Sequence, residues 1–317
     1  MAKITLSSPA AQTKASPLAI WSAMIAVYIV WGSTYLAIRF AVQTMPPFLM
    51  AAARFLLAGG MLFAVRRLAG DPLPHRIEVR SAAIVGLFLL LGGNGAVVWA
   101  EQTVPSGLAA LMVSSSPLWM ILLEAVLPGG SRPSLRALAG ILLGFGGVLL
   151  LLWPDKSGGL LALDPWGSAA LIFATLAWSF GSIISRYLRL PFSPMMGTAV
   201  EMLAGGTGLL LLGAVTGEFG RIQLASISTA SLLGLGYLVV FGALVGFTAY
   251  TWLLRVAPTS LVSTYAYVNP LVALVVGTLI GKEPFSARTL IAAGVIIGSV
   301  ALITATRKKN PEMKAGK

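Results

Sequence analysis

The sequence predicts an all-α membrane protein of ten transmembrane helices, arranged as two inverted five-helix repeats with both termini in the cytoplasm. Three observations predict it. The 317 residues are 57% apolar and only 10% charged, where a soluble chain is about a quarter charged. The apolar residues fall into ten runs of about the 20 residues that cross a bilayer. The second half of the chain also repeats spaced features of the first.

The runs lie at roughly 18–40, 47–66, 81–101, 106–127, 135–153, 165–187, 194–214, 230–254, 259–281 and 287–306. Together they leave tails and loops too short for a soluble domain, so function must reside inside the bundle. The first run is too long for a signal-peptide core and no small-residue cleavage site follows it, which marks it as a retained helix. With the N-terminus inside, most of the 22 Lys and Arg residues flank cytoplasmic helix ends, as the positive-inside rule requires of short loops. The net charge of +12 is therefore topological, and nucleic acid is not an expected partner. The organisation read from these runs is a tail (1–17), a first repeat (18–153), an outer loop (154–164), a second repeat (165–306) and a basic cytoplasmic tail (307–317).

Pro105 and Pro117 are spaced like Pro258 and Pro270, and Trp31 precedes Arg39 as Trp178 precedes Arg186. Gly140 to Gly144 lies over Gly294 to Gly298, and Gly59-Gly60 pairs with Gly205-Gly206 one residue out of step. Five helices per repeat is an odd number, so the second repeat enters the membrane from the opposite side. Inverted halves of this kind are how secondary transporters exchange inward- and outward-open states.

Proline- or glycine-interrupted segments at matched places point to a midplane binding site. Ser115, Ser116 and Pro117 sit about 12–17 Å into the fourth span at 1.5 Å per residue, and Tyr265, Tyr267, Asn269 and Pro270 at the matching depth of the ninth. Each proline lacks an N–H, so both helices are expected to kink there. Asn94 lies mid-span among glycines. Trp31, Trp178 and Trp119 lie too deep for an interfacial belt and are candidate cavity walls, whereas Trp21, Trp153 and Trp166 fit the belt. Arg54 and Glu201 are each about 10 Å deep, where an unpaired charge is costly. Glu101 is the expected partner of Arg54 or Arg39, and Arg186 or Arg189 that of Glu201, each pair locking a gate; direct contact with the solute and snorkelling are the alternatives for these deep charges. Glu124 is expected to snorkel.

Chemistry is narrowly bounded. The chain has no Cys and one His, His75, which excludes thiolate and His-pair metal centres. No Walker, dinucleotide or His-Glu-x-x-His motif is present. No catalytic residue, metal or cofactor is expected, and the partners expected are a small-molecule solute and the lipid bilayer.

Seven motifs carry a resemblance. Trp31-Gly32-Ser33-Thr34-Tyr35, Arg54-Phe55-Leu56, Gly93-Asn94-Gly95, Val104-Pro105-Ser106-Gly107, Trp178-Ser179-Phe180-Gly181-Ser182, Glu201-Met202-Leu203 and Tyr265-Ala266-Tyr267-Val268-Asn269-Pro270 occur in this order. Residues 18–306 resemble the EamA branch of the drug/metabolite transporter superfamily, and within it a group of bacterial inner-membrane exporters. The resemblance implies efflux of amino acids or related small metabolites and drugs through a cavity between the repeats, with the fourth and ninth helices prominent. A channel or lipid scramblase would need a continuous polar path, and a membrane scaffold would carry no flux; these are the alternatives.

Overall fold

The computed structural model describes residues 16–126, 133–153, 164–257, 259–262 and 264–307. The expected outer loop and the two tails lie largely outside them. Among the described residues every regular element is helical.

The helices are α1 (Pro17–Ala41), α2 (Pro47–Leu68), α3 (Arg76–Ala100), α4 (Ser106–Val113 continuing as Ser116–Val126) and α5 (Leu135–Leu152). They continue as α6 (Pro165–Ile184), α7 (Pro194–Val215), α8 (Thr229–Tyr237, Leu238–Val245 and Gly246–Val256), α9 (Thr259–Val262 and Tyr265–Leu279) and α10 (Ala287–Arg307). Seven are long and apolar enough to cross a membrane: α1 to α4 and α6 to α8. Shorter apolar helices occupy Ala137–Leu152, Tyr265–Leu279 and Ala287–Leu302.

Their starting points are written into the sequence. α1, α2, α6 and α7 each open with proline in the first turn, where a missing N–H costs nothing. Ser16, Ser134, Asp164, Ser193 and Ser228 cap α1, α5, α6, α7 and α8 by accepting a backbone N–H from the first turn, satisfying a donor that has no partner within the helix.

The main packings come in matched pairs. α1 lies on α9 as α6 lies on α4; α3 lies on α6 as α8 lies on α1; α3 lies on α7 as α8 lies on α2. The pairs α2 with α7, α4 with α9 and α5 with α10 are their own counterparts. Single residues repeat the pattern. The Ser179 hydroxyl donates to the Ser116 carbonyl at 3.0 Å, and a Cβ on Gly32 would stand 3.0 Å from the Asn269 carbonyl oxygen. At the α2/α7 crossing, a Cβ on Gly59 would meet the Leu203 nitrogen at 3.1 Å and one on Gly206 the Leu56 nitrogen at 3.1 Å. Gly59 is thus matched by Gly206, not Gly205, and the same register places Arg54 over Glu201.

Two features differ from a plain run of α-helices. α3 and α8 each widen into an eight-residue π-helical stretch, Leu87–Asn94 and Leu238–Val245, at equivalent places. Such stretches are uncommon and gather at functional sites. α4 is broken rather than kinked: the chain turns at Ser114 and Ser115, and Pro117 becomes the second residue of the following piece. α9 breaks near Thr264, before Tyr265, and runs on through Pro270. Pro117 therefore stands at a restart, whereas Pro270 lies inside the continuous helix Tyr265–Leu279.

Candidate functional site: a central cavity

The break in α4 carries its own supply of hydrogen bonds. Ser114, Ser115 and Ser116 donate their hydroxyls to the carbonyls of Leu111, Met112 and Val113, each at 2.6 Å. The last of these is the carbonyl that Pro117, four residues on, cannot serve. In α9, Thr264 donates to the Leu261 carbonyl at 2.6 Å. Three serines in a row thus let an apolar helix stop and restart at depth without stranding polar backbone, which hydrocarbon penalises heavily.

Around these breaks lies a cavity of about 550 Å³. Trp31, Asn94, Ser116, Pro117, Trp178, Tyr265, Tyr267, Asn269, Pro270, Arg54 and Arg186 all line it. Ser115 and Trp119 do not. They face a separate cavity of about 270 Å³ against α5 and α6, where the Trp119 ring meets Phe145 edge-on at 4.6 Å. The helical period is the reason: residues 115 and 119 share one face of α4 and residues 116 and 120 another, and it is Met120 that joins Ser116 at the central cavity.

Both deep tryptophans rest on the π stretches. Trp31 donates its indole N–H to the Gly242 carbonyl at 3.2 Å and is ringed by Tyr250, Phe247 and Tyr265 at 5.1, 5.3 and 5.3 Å between centroids. Trp178 lies over Gly93, where a Cβ would come within 3.2 Å of the ring. Glycine at Gly93, and at Gly246 just after the second stretch, where a Cβ would stand 2.8 Å from Trp31 Cδ1, allows the indoles to approach the helix backbone.

The charges pair differently from the sequence-based expectation. Arg39 lies 3.5 Å from Glu283 and donates to the Val104 carbonyl at 3.3 Å. Glu283 also accepts the backbone N–H groups of Ser106 at 2.8 Å and Gly107 at 3.0 Å, so one carboxylate ties the α9–α10 loop to the start of α4 and the end of α1. Nothing in the apolar pattern marks Glu283, which lies in a loop after Lys282, the residue whose φ of 52° turns the chain back toward the bundle. Glu218 makes the equivalent clamp at the start of α2, accepting from Phe48 at 3.2 Å and Leu49 at 2.9 Å.

Glu101 is only 1% exposed and stands within electrostatic reach of Glu283, Arg39 and Arg54. No ion pair within 4.0 Å joins it to Arg54. Arg186 pairs with Glu124 at 3.7 Å, not with Glu201. The reason is placement: α6 packs on the second half of α4, which carries Glu124, whereas Glu201 is on α7, where its backbone is pressed against Gly86 of α3. Glu101 and Glu201 do not line the central cavity.

Comparison with known proteins fits this architecture. The EamA-like transporter family profile matches residues 18–153 and 165–305. The chain belongs to this family. It is 39% identical over 289 residues to the uncharacterized inner membrane transporter YedA of Escherichia coli K12, covering 90% of this chain and 91% of that one. It is 28% identical to a WAT1-related chloroplastic protein of Arabidopsis thaliana, with 89% of this chain and 69% of the relative covered. The protein PecM of Dickeya dadantii is 26% identical, with 89% and 93% covered. A solved crystal structure shares the fold at a TM-score of 0.61 with 22% identity, covering 92% of this chain and 98% of the other. The family and the apolar helices make this chain a multi-pass membrane protein of a transporter family.

Proposed function

We propose that this chain is a secondary transporter or facilitator of the bacterial inner membrane, exporting small amphipathic metabolites, amino acids and related compounds among them, by alternating access. In this reading the ten apolar segments all cross the bilayer, both termini face the cytoplasm, and the two halves are inverted repeats. The inner-membrane location is supported by the name of the Escherichia coli relative.

One observation carries the reading. Arg39 and Arg186 occupy matched positions in the two halves, yet their surroundings differ. The Arg186 side chain lines the cavity and is 59% exposed. Arg39 is held by Glu283 and lies off the cavity. The two arginines mark opposite ends of α4, so the cavity opens at the Arg186 end and is closed at the Arg39 end. With Arg186 on the cytoplasmic side, this is an inward-open carrier whose outer side is shut by the Glu283 clamp. A symmetric pore would show both arginines in the same setting.

The substrate contacts in this reading are Trp31, Asn94, Ser116, Trp178, Tyr265, Tyr267 and Asn269. The decisive assay is saturable uptake and counterflow of a panel of labelled amino acids in liposomes containing the purified protein; absence of flux for every member sinks the proposal. Asn269→Ala is expected to lower the initial rate about fivefold, the worth of one hydrogen bond of about 1 kcal/mol. Because Asn269 Oδ1 has no partner in the protein, alanine strands no donor and folding should stay near normal. Loss of folded protein with unchanged specific activity would make the amide a packing element.

A further inference from the structure

The central cavity has a charge balance that composition alone does not reveal. Two arginines line it, Arg54 and Arg186, and no aspartate or glutamate does. Arg186 has Glu124 as a counterion outside the cavity. Arg54 has none in bonding contact: it is 5% exposed, and its Nε and Nη1 have no hydrogen-bond partner. A buried guanidinium with idle donors is costly unless something supplies the acceptors.

Access to that guanidinium is kept open by a missing side chain. Gly242, also on the cavity wall, lies over Arg54, and a Cβ there would stand 3.3 Å from Nη2. Two amides face the same space, Asn94 and Asn269, and the Oδ1 of each is buried without a partner. Trp31 and Tyr265, edge to face at 5.3 Å, supply flat apolar surface beside them.

We propose that the cavity binds a small organic anion, an apolar or aromatic carboxylate, with its carboxylate on the Arg54 guanidinium and its polar N–H or O–H groups on Asn94 and Asn269. This rests on the reading of the cavity as the solute site and adds its charge selectivity. Organic cations are disfavoured, because the cavity wall offers them two guanidinium groups and no carboxylate. Anions gain charge-assisted hydrogen bonds in a partly dry site, and arginine is well suited to carboxylates.

The test is equilibrium binding by titration calorimetry on the purified full chain in detergent, with three probes of one shape: 3-phenylpropanoate, 3-phenylpropanamide and 3-phenylpropylamine. The anion is expected to bind at least about tenfold tighter than the amide, as one charge-assisted bond supplies, and the amine weakest. Arg54→Gln should bring the anion within about threefold of the amide, while Arg54→Lys, which keeps the charge, should retain a clear preference. Should Arg54→Gln not fold, the ranking of the three probes on the unaltered protein still decides the matter. Equal affinities, a preference for the amine, or no binding by any probe overturns the proposal. Charge-selective binding without carrier flux in liposomes would instead sink the transport reading and leave this site standing.

Discussion

In the alternating-access reading proposed above, Glu283→Ala is expected to open the outer side of the carrier. The carboxylate it removes accepts two backbone N–H groups from the start of α4 and stands 3.5 Å from Arg39, in a site where Glu283 is only 8% exposed. Each buried donor left without an acceptor costs about 1–3 kcal/mol, and every 1.4 kcal/mol moves a two-state population about tenfold. A loss confined to the outer-closed state therefore redistributes the carrier strongly toward outward-open. The protein has no cysteine, so a single Ile38→Cys probe reports cleanly: Ile38 lines the cavity beside Arg39 and is 2% exposed. Labelling of that cysteine by an impermeant maleimide from outside intact cells should accelerate by at least about tenfold in the Glu283→Ala background, the population shift just argued. Glu283→Gln, which keeps one acceptor oxygen, should fall between. Unchanged labelling in both would show that the clamp is a static strut.

Much of this arrangement can be read from the sequence where a local rule is explicit. The expected spans 47–66 and 194–214 begin at the same residues as α2 (Pro47–Leu68) and α7 (Pro194–Val215), because a first-turn proline fixes a helix start. The register of Trp31 with Trp178 and of Pro117 with Pro270 likewise brings all four to one cavity. Other features leave no such mark. Leu87–Asn94 and Leu238–Val245 are almost uniformly apolar, and a segment apolar on every side carries no periodic signal to separate a π turn from an α turn. The sides of α4 are hidden for a related reason: depth along a span says nothing about rotation around it, so Ser115 and Trp119 read like Ser116. Glu283 escapes notice because its hydrogen-bond donors are backbone N–H groups, which any residue pair supplies, and its Arg39 partner lies far away in the sequence. The Arg186 to Glu124 pairing depends on helix neighbours, and those follow only from the packing.

The glycines of the α2/α7 crossing separate packing from motion. A Cβ on Gly59 would come within 2.8 Å of Met202 Cβ and 3.1 Å of the Ala199 carbonyl oxygen; a backbone atom cannot move aside as a side-chain tip does, so the two helices must part. Gly60, the next residue, has nothing within 4 Å of a Cβ. Gly59→Ala is therefore expected to cost about 1–3 kcal/mol of stability through overpacking, whereas Gly60→Ala should be neutral or gain up to about 1 kcal/mol from helix propensity. Thermal unfolding in detergent reads both. Gly206→Ala should behave like Gly59→Ala, since its Cβ would meet Leu56 at 3.0 to 3.1 Å. The local match of the two glycine pairs, which puts Gly59 with Gly205 one residue out of step with the rest of the repeat, leads to the expectation that bulk at those two sites acts in opposite directions on the two open states. The structure revises that expectation: Gly59 and Gly206 face each other's helix across one crossing, which in the inverted arrangement proposed above lies on the axis relating the halves. A pivot on that axis stays packed in both states, so leucine at either position should lower stability while leaving the labelling rate of Ile38→Cys per folded molecule unchanged. If Gly59→Leu instead exposes that cysteine and Gly206→Leu protects it, the crossing is itself the moving part and the pivot reading fails.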